Sequence, residues 1–332
     1  MVTKPPSKTS RLGEFALIET IFAPLASQMA GAYGLKDDAA VLTVPPECDV
    51  VVTTDALVET VHFRREDPAD LIAQKALRVN LSDLAAKGAE PHSYFLALSL
   101  ADWIDDAWLR QFAAGLAADQ ARYGVALGGG DTTRTPGPLT ISVTAHGFLP
   151  KNTIIRRGGA KPGDAVFVTG TIGDAGAGLA VLTGVAAHLP EAARDFLIGR
   201  YQLPDPRMTL GYRLRGLASA ALDVSDGLLA DLAHIADVSK MRIVIEAKRI
   251  PLSDPVRALW GAHAARRAAT SGDDYEIAFT VPAASSQKVS EAARLAGVAV
   301  TEIGRVEAGE GVLLLGEDDA PIPLETLGFT HF

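Results

Sequence analysis

The chain has 332 residues, 48% of them hydrophobic and 6% aromatic, with 31 basic against 40 acidic side chains for a formal net charge of -9. That length allows two domains of ordinary size. The charge excludes the broad positive field of a sequence-independent nucleic-acid binder, and the few aromatics argue against base-stacking surfaces, whereas an anionic nucleotide held through bound cations stays open.

Met1–Arg11 is polar and basic and is expected to be a loose tail, without the apolar core of a signal peptide. Glu14–Ala30 places Phe15, Ile18, Phe22 and Leu25 on one side of a predicted helix, interrupted at Pro24. Strands are predicted at Ala39–Val44 and Val50–Thr54, with Asp37-Asp38 before the first and Asp55 closing the second. Ala69–Ala85 is helical in pattern, carries Asp83 in its last turns and meets a stop at Gly88. A strand at His92–Leu100, a helix at Asp106–Tyr123 and strands at Val125–Leu127 and Leu139–Phe148 follow. Pro150, Pro162 and the basic run around Arg156-Arg157 break this rhythm, so domains 1–149 and 150–332 are expected. Beyond the break, strands are predicted at Ala165–Thr169, Ala220–Val224, Arg242–Glu246, Tyr275–Val281, Val300–Val306 and Gly311–Leu315. Helices are predicted at Gly173–Gly178, Arg207–Gly216 and Leu228–Ala236. No apolar run reaches the about 18 residues of a membrane span. The single cysteine, Cys48, can form no internal disulfide, and a cytoplasmic location is the expectation.

Five acidic sites share one local design, an Asp beside Gly, Ser, Thr or another Asp at the edge of an element. They are Asp37-Asp38, Thr53-Thr54-Asp55, Ser82-Asp83, Gly128-Gly129-Gly130-Asp131-Thr132-Thr133 and Asp223-Val224-Ser225-Asp226-Gly227. Taken singly, each reads as a turn or an N-cap. Together they form a set of hard oxygen donors, without His or Cys, that favours magnesium, and so many carboxylates in one place would repel one another without cations. The glycine run leading to Asp131 permits close approach of backbone to a ligand.

Neither a G-x-x-x-x-G-K-[ST] loop nor a correctly spaced dinucleotide loop is present, so phosphates would be held by metal ions and scattered aspartates. Ser271-Gly272-Asp273-Asp274-Tyr275-Glu276 is a further acidic turn, able either to contact a cationic organic group or to orient itself. His62 follows Asp55 closely enough to reach the same ligand, while His92, His146, His188, His234, His263 and His331 show no metal-ligand spacing. Ser225 has no recognisable His partner for hydrolase chemistry.

In order along the chain, GEFALIETIF, DDAAVL, TTDALVETVHF, KALRVNLSDLAAKGAEP, GGDTT, RRGGAKPGD, ALDVSDGLLADLAHI and SGDDYEI resemble the thiamine-monophosphate kinases, whose fold is shared with aminoimidazole ribonucleotide synthetase. The resemblance implies a two-domain α/β (α+β) fold that dimerises through its N-terminal sheet, with the active-site cleft between the domains. It implies transfer of phosphate from ATP to thiamine phosphate, with several Mg2+ ions and a homodimer. By motif position it makes Asp38, Thr53, Thr54, Asp55, Asp83, Asp131, Asp223 and Asp226 metal ligands, with Asp131, Asp55 and Asp83 catalytic through their ions. Gly130, Asp131, Arg157 and Ser225 would contact ATP, and His62, Asp273 and Phe329 thiamine phosphate.

Three positions depart from the family pattern. Lys36 stands where a glycine is usual before the first aspartate pair, and Asp273 is one methylene shorter than the usual Glu. Lys87 replaces a usual methionine and reads as a local packing change. Two other classes share such a metal site: a related ATP-using synthetase acting on an amide or formyl oxygen, and a non-catalytic nucleotide-binding module.

Overall fold

The computed structural model describes residues 12–185 and 188–330, so the expected tail at residues 1–11 and His331 lie outside the described residues. The chain divides into two compact units. One comprises the chain up to Asn80 with Pro91–Phe148, the other Leu81–Glu90 with Leu149–Phe332.

The first unit opens with α1 (Glu14–Leu17), which loosens into a π-helical turn at Ile18–Phe22 and a 3-10 turn at Ala23–Ala26. Pro24 has no N–H to continue an α-helical ladder, which accounts for the interruption expected there. Then come β1 (Cys48–Val58), α2 (Ala69–Lys87), β2 (Glu90–Leu100), α3 (Asp106–Tyr123), β3 (Ala126–Arg134) and β4 (Thr140–Pro150), with Leu81–Glu90 grouped with the second unit. Helix α3 begins where Asp105 accepts the Trp108 N–H at 2.8 Å and ends on Gly124 with φ +67°. Ala39–Val44, predicted as a strand, is irregular instead; Pro45 and Pro46 follow it, and the Val41 N–H bonds only back to Gly31 O.

The sheet order β1-β4-β2-β3 makes β1 and β3 its opposite edges. β2 and β3 are parallel, and their register shifts between Tyr94 and Phe95 because Gly128 is an extra residue in β3. A Cβ at Gly130 would lie 1.9 Å from Leu96 O, so the sheet itself demands glycine there. β4 buries alternate residues, Ile141, Val143 and Ala145 among them. On β1 the even-numbered Val50, Val52 and Thr54 stay exposed while Leu57 is buried. The two long helices of this unit are pinned by Arg78, which donates to both oxygens of Asp119 at 2.7 and 2.8 Å; the residues are 3% and 1% exposed. Gln74 Nε2 completes that carboxylate at 2.8 Å.

The second unit contains β5 (Asp164–Thr169), α4 (Asp174–Leu182), α5 (Glu191–Gln202), α6 (Met208–Leu214), β6 (Ala220–Asp223), α7 (Leu228–Ser239) and β7 (Arg242–Glu246). It continues with α8 (Asp254–Trp260), α9 (Ala264–Ala269), β8 (Ile277–Pro282), α10 (Ser286–Ala296), β9 (Val300–Glu307) and β10 (Gly311–Leu315). Its six strands run β10-β7-β9-β5-β8-β6, parallel only between β10 and β7. Val166, Val168, Leu222 and Ile245 from the sheet and Leu228, Leu232 and Ile235 from α7 share one core. The sequence pattern did not reveal α5, α8, α9 or α10. Helices α8 and α9, of seven and six residues, are too short to show a period, whereas α5 and α10 do bury residues at helical spacing, Leu197 and Tyr201 in one and Val289, Ala292 and Ala293 in the other.

Breaking a buried ion pair by removing one partner leaves an uncompensated charge. Arg78→Ala is therefore expected to destabilise the protein by about 3–5 kcal/mol, read from urea denaturation, whereas replacing Arg78 and Asp119 together by apolar residues recovers most of that loss.

Candidate active site

Strand β6 delivers Asp223, 6% exposed, at its last residue, and the chain then turns through Val224–Gly227 into α7. Asp231, on the first turn of α7, accepts the N–H groups of Ser225, Asp226 and Gly227 on one oxygen, at 3.0, 3.0 and 3.1 Å. Burial, followed by the neighbouring Asp226 carboxylate, raises Asp231 to about 7, against the pull of those three donors.

Main-chain bonds hold the same turn from two other segments. The Tyr275 N–H donates to Val224 O and the Asp273 N–H to Ser225 O, both at 2.8 Å, and the Phe329 N–H donates to Asp226 O at 2.9 Å. A Cβ at Gly272 would stand 2.5 Å from Ser225 O and one at Gly328 2.4 Å from Asp226 O, so both contacts require glycine. Ser225, Asp226, Asp273 and Phe329, scattered in sequence, are thereby fastened to one backbone cluster.

The acidic turn before β8 divides its side chains between two tasks. Asp274 and Glu276 point inward, 1% and 0% exposed, whereas Asp273 is half-buried. Asp274 accepts the Gly173 and Ala175 N–H groups at 2.7 and 3.2 Å. Glu276 takes Arg200 Nη2 and Arg207 Nε, each at 2.7 Å. Burial raises Asp274 well above the usual carboxylate range. Asp273 and Tyr275 sit at φ +70° and +50°, a left-handed backbone that this buried framework keeps in place.

Asp83, near the end of α2, faces Asp223 closely enough that burial first and Asp83 second push Asp223 well above the usual carboxylate range, against a hydrogen bond from Ser82. Lys87, one turn beyond Asp83, donates its amine to Ala221 O at 2.7 Å. Burial lowers this amine to about 8, Asp223 and Asp83 raise it, and Arg157 lowers it. Lys87 is thus an electrostatic member of the carboxylate site and not the packing change expected from sequence. The signal that could have shown this was its i, i+4 relation to Asp83 on α2.

In the first unit, Asp37, Asp38, Gly130 and Asp131 line a single cavity of about 360 Å³ whose wall includes Phe22, Leu35 and Phe95. Asp131 lies within β3, and its carboxylate accepts the Thr132 N–H at 2.9 Å. Asp55 lies inside β1, where the sequence had placed it just after a strand. Thr53 shares its side of the strand, while Thr54 points to the opposite side and hydrogen-bonds Thr144 Oγ1 at 3.0 Å. Within one chain, three strand spacings, about 14 Å, separate the edges that carry Asp55 and Asp131. His62 accepts the Val58 N–H on Nδ1 at 3.0 Å, closing the turn after β1.

Arg157 is exposed on the rim of a depression with Arg156, Lys161 and Ser239. Asp226, Asp231 and His234 bring ligand atoms within 4.8 Å of one another, so His234 stands nearer to carboxylates than its spacing suggested. Paired and clustered carboxylates with hydroxyls nearby fit a hard divalent cation such as Mg2+.

Two successive domains of this kind define the class: residues 36–149 match the AIR synthase related protein N-terminal domain and residues 161–315 its C-terminal domain. Within that class the chain belongs to the thiamine-monophosphate kinase family. It is 44% identical over 326 residues to the thiamine-monophosphate kinase of Caulobacter vibrioides, covering 96% of this chain and 90% of that one. The crystal structure of thiamine-monophosphate kinase from Stenotrophomonas maltophilia is similar with a TM-score of 0.83 at 42% identity, over 93% of this chain and 98% of that one. AaThiL complexed with AMPPCP and TMP is similar with a TM-score of 0.76 at 32% identity, over 98% and 100% of the two chains.

Asp231→Ala strands three main-chain donors at the centre of the backbone cluster. A stability loss of about 2–4 kcal/mol is expected in chemical denaturation, while Asp231→Asn, which retains an acceptor oxygen, loses clearly less.

Proposed function

We propose that this chain transfers the terminal phosphate of ATP to thiamine phosphate, yielding ADP and thiamine diphosphate. The observation that carries the reading is full-length similarity to thiamine-monophosphate kinases, AaThiL with its AMPPCP and TMP included. An oxygen of thiamine phosphate, already anionic near neutral pH, attacks the γ-phosphorus in line as the bond to the ADP oxygen breaks, so no strong protein base is required. Bound Mg2+ ions would screen the two anionic substrates and stabilise the charge that develops during transfer.

Asp38, Asp55 and Asp131 of the first unit, with Thr53, and Asp83, Asp223 and Asp226 of the second are assigned to those ions; the Thr54 side chain, expected among them, faces the other side of β1 toward Thr144. Asp131, Asp55 and Asp83 are the ones through which catalysis acts. Gly130 and Asp131 border the cavity suited to nucleotide, while Arg157 offers a fixed guanidinium to its phosphates and Ser225 a hydroxyl. Asp273 and Phe329, with His62, are assigned to thiamine phosphate. The inward-facing Asp274 and Glu276 orient Asp273.

The working unit is a homodimer formed through the N-terminal sheet. The exposed side of β1, with Val50 and Val52, supports it, and so does the separation of Asp55 from Asp131 within one chain. A second copy that brings its own β1 edge to β3 would unite the two aspartates.

Incubation with ATP, Mg2+ and thiamine phosphate is expected to produce thiamine diphosphate in step with ADP; ADP without thiamine diphosphate would overturn the reading. Asp55→Asn and Asp131→Asn chains should each be inactive as homodimers. Mixed after unfolding and refolding, they should regain up to about a quarter of wild-type turnover, because each mixed dimer has one unaltered site.

A further inference from the structure

At the end of α2, three hydrogen bonds close a small frame within the second unit. Lys87 Nζ donates to Ala221 O at 2.7 Å, the Ala221 N–H donates to Arg156 O at 3.0 Å, and the Ile155 N–H donates to Lys87 O at 3.3 Å. The frame fixes where the Lys87 charge sits. Asp83 is one helical turn before it on the same face of α2, and Asp223 is two residues past Ala221 on the same side of β6. The Lys87 ammonium is therefore built in beside the Asp83 and Asp223 carboxylates, with the Arg157 guanidinium also within electrostatic reach of it.

We propose that Lys87 is a resident cation of the Asp83 and Asp223 pair, supplying part of the balancing charge that a divalent ion would otherwise provide alone. This rests on the assignment of that pair to a metal ion. A dication approaching the pair meets the ammonium as well as the carboxylates, so the free protein takes up its ion weakly. The phosphates of a bound nucleotide add negative charge, offset the ammonium, and bring the ion in with them. Lys87 in this role is a positioning residue: it touches main chain and acts through the carboxylates. Ion entry is thereby coupled to substrate entry.

The test is Mn2+ binding followed by electron paramagnetic resonance, first without nucleotide. Lys87→Gln retains a donor for Ala221 O and loses the charge; Lys87→Met loses both; Lys87→Arg keeps the charge. Gln and Met variants are expected to bind Mn2+ at least about tenfold more tightly than wild type, with Arg near wild type. Adding Asp83→Asn to Lys87→Gln should abolish the gain. Affinity unchanged in the Gln and Met variants, or a gain that survives Asp83→Asn, would overturn the proposal; a lowered melting temperature with unchanged Mn2+ affinity would reduce Lys87 to a tether. Asp83→Asn alone, titrated with Mn2+ in the presence of ATP, separates the two readings. Loss of a bound ion there upholds the metal assignment whatever Lys87 does, and no loss removes it.

Discussion

A carboxylate withdrawn from water must find donors, a counter-charge or a proton, and in a chain with a net charge of -9 this requirement shapes much of the architecture. Asp119 is matched by Arg78, and Glu276 by Arg200 and Arg207. Asp231 and Asp274 are held by main-chain N–H groups. Asp174 is capped by the Ser253 hydroxyl, with Arg200 nearby. Asp223 is treated differently, since another carboxylate, Asp83, opposes its charge and the ammonium of Lys87 offsets it. Most of these buried acids act as struts that tie distant segments together through their hydrogen bonds.

The struts explain how the functional turns keep their geometry. Asp273 and Tyr275 adopt left-handed backbone, which costs on the order of 1–3 kcal/mol each and persists only under outside constraint. The constraint comes from the buried Asp274 and Glu276 on either side of Tyr275. It is reinforced by main-chain bonds to Val224 and Ser225. These restraints run through backbone, and the half-buried Asp273 carboxylate also accepts the Tyr275 hydroxyl at 3.3 Å.

Sheet order sets a second constraint, on the scale of the whole assembly. Sequence places Asp55 and Asp131 in similar small-residue surroundings and suggests a common destination. The order β1-β4-β2-β3 sends them to opposite edges. In the homodimer proposed above, a site that uses both would be completed by two chains.

Periodicity and turn chemistry were sufficient to locate most strands and the long helices: Asp105 and Gly124 bound α3, and alternation marks β4, because these features depend on neighbours within a few residues. The acidic motifs, lacking His and Cys, carried the expectation of a hard-cation chemistry, and the ordered set of motifs identified the kinase family. Other properties were decided only by folding. Ala39–Val44 has strand-like residues but no partner strand among the described residues, so it stays irregular. Strand alternation turned Thr54 away from Thr53; Glu276 was drawn inward by arginines about 70 residues away in sequence, and Asp274 by main-chain N–H groups about 100 residues away. Lys87 became part of the carboxylate site because a distant strand offered Ala221 O to its amine. Local sequence determines what a residue can do chemically; which charges meet depends on long-range contacts, and the energy of a charge depends on the others around it.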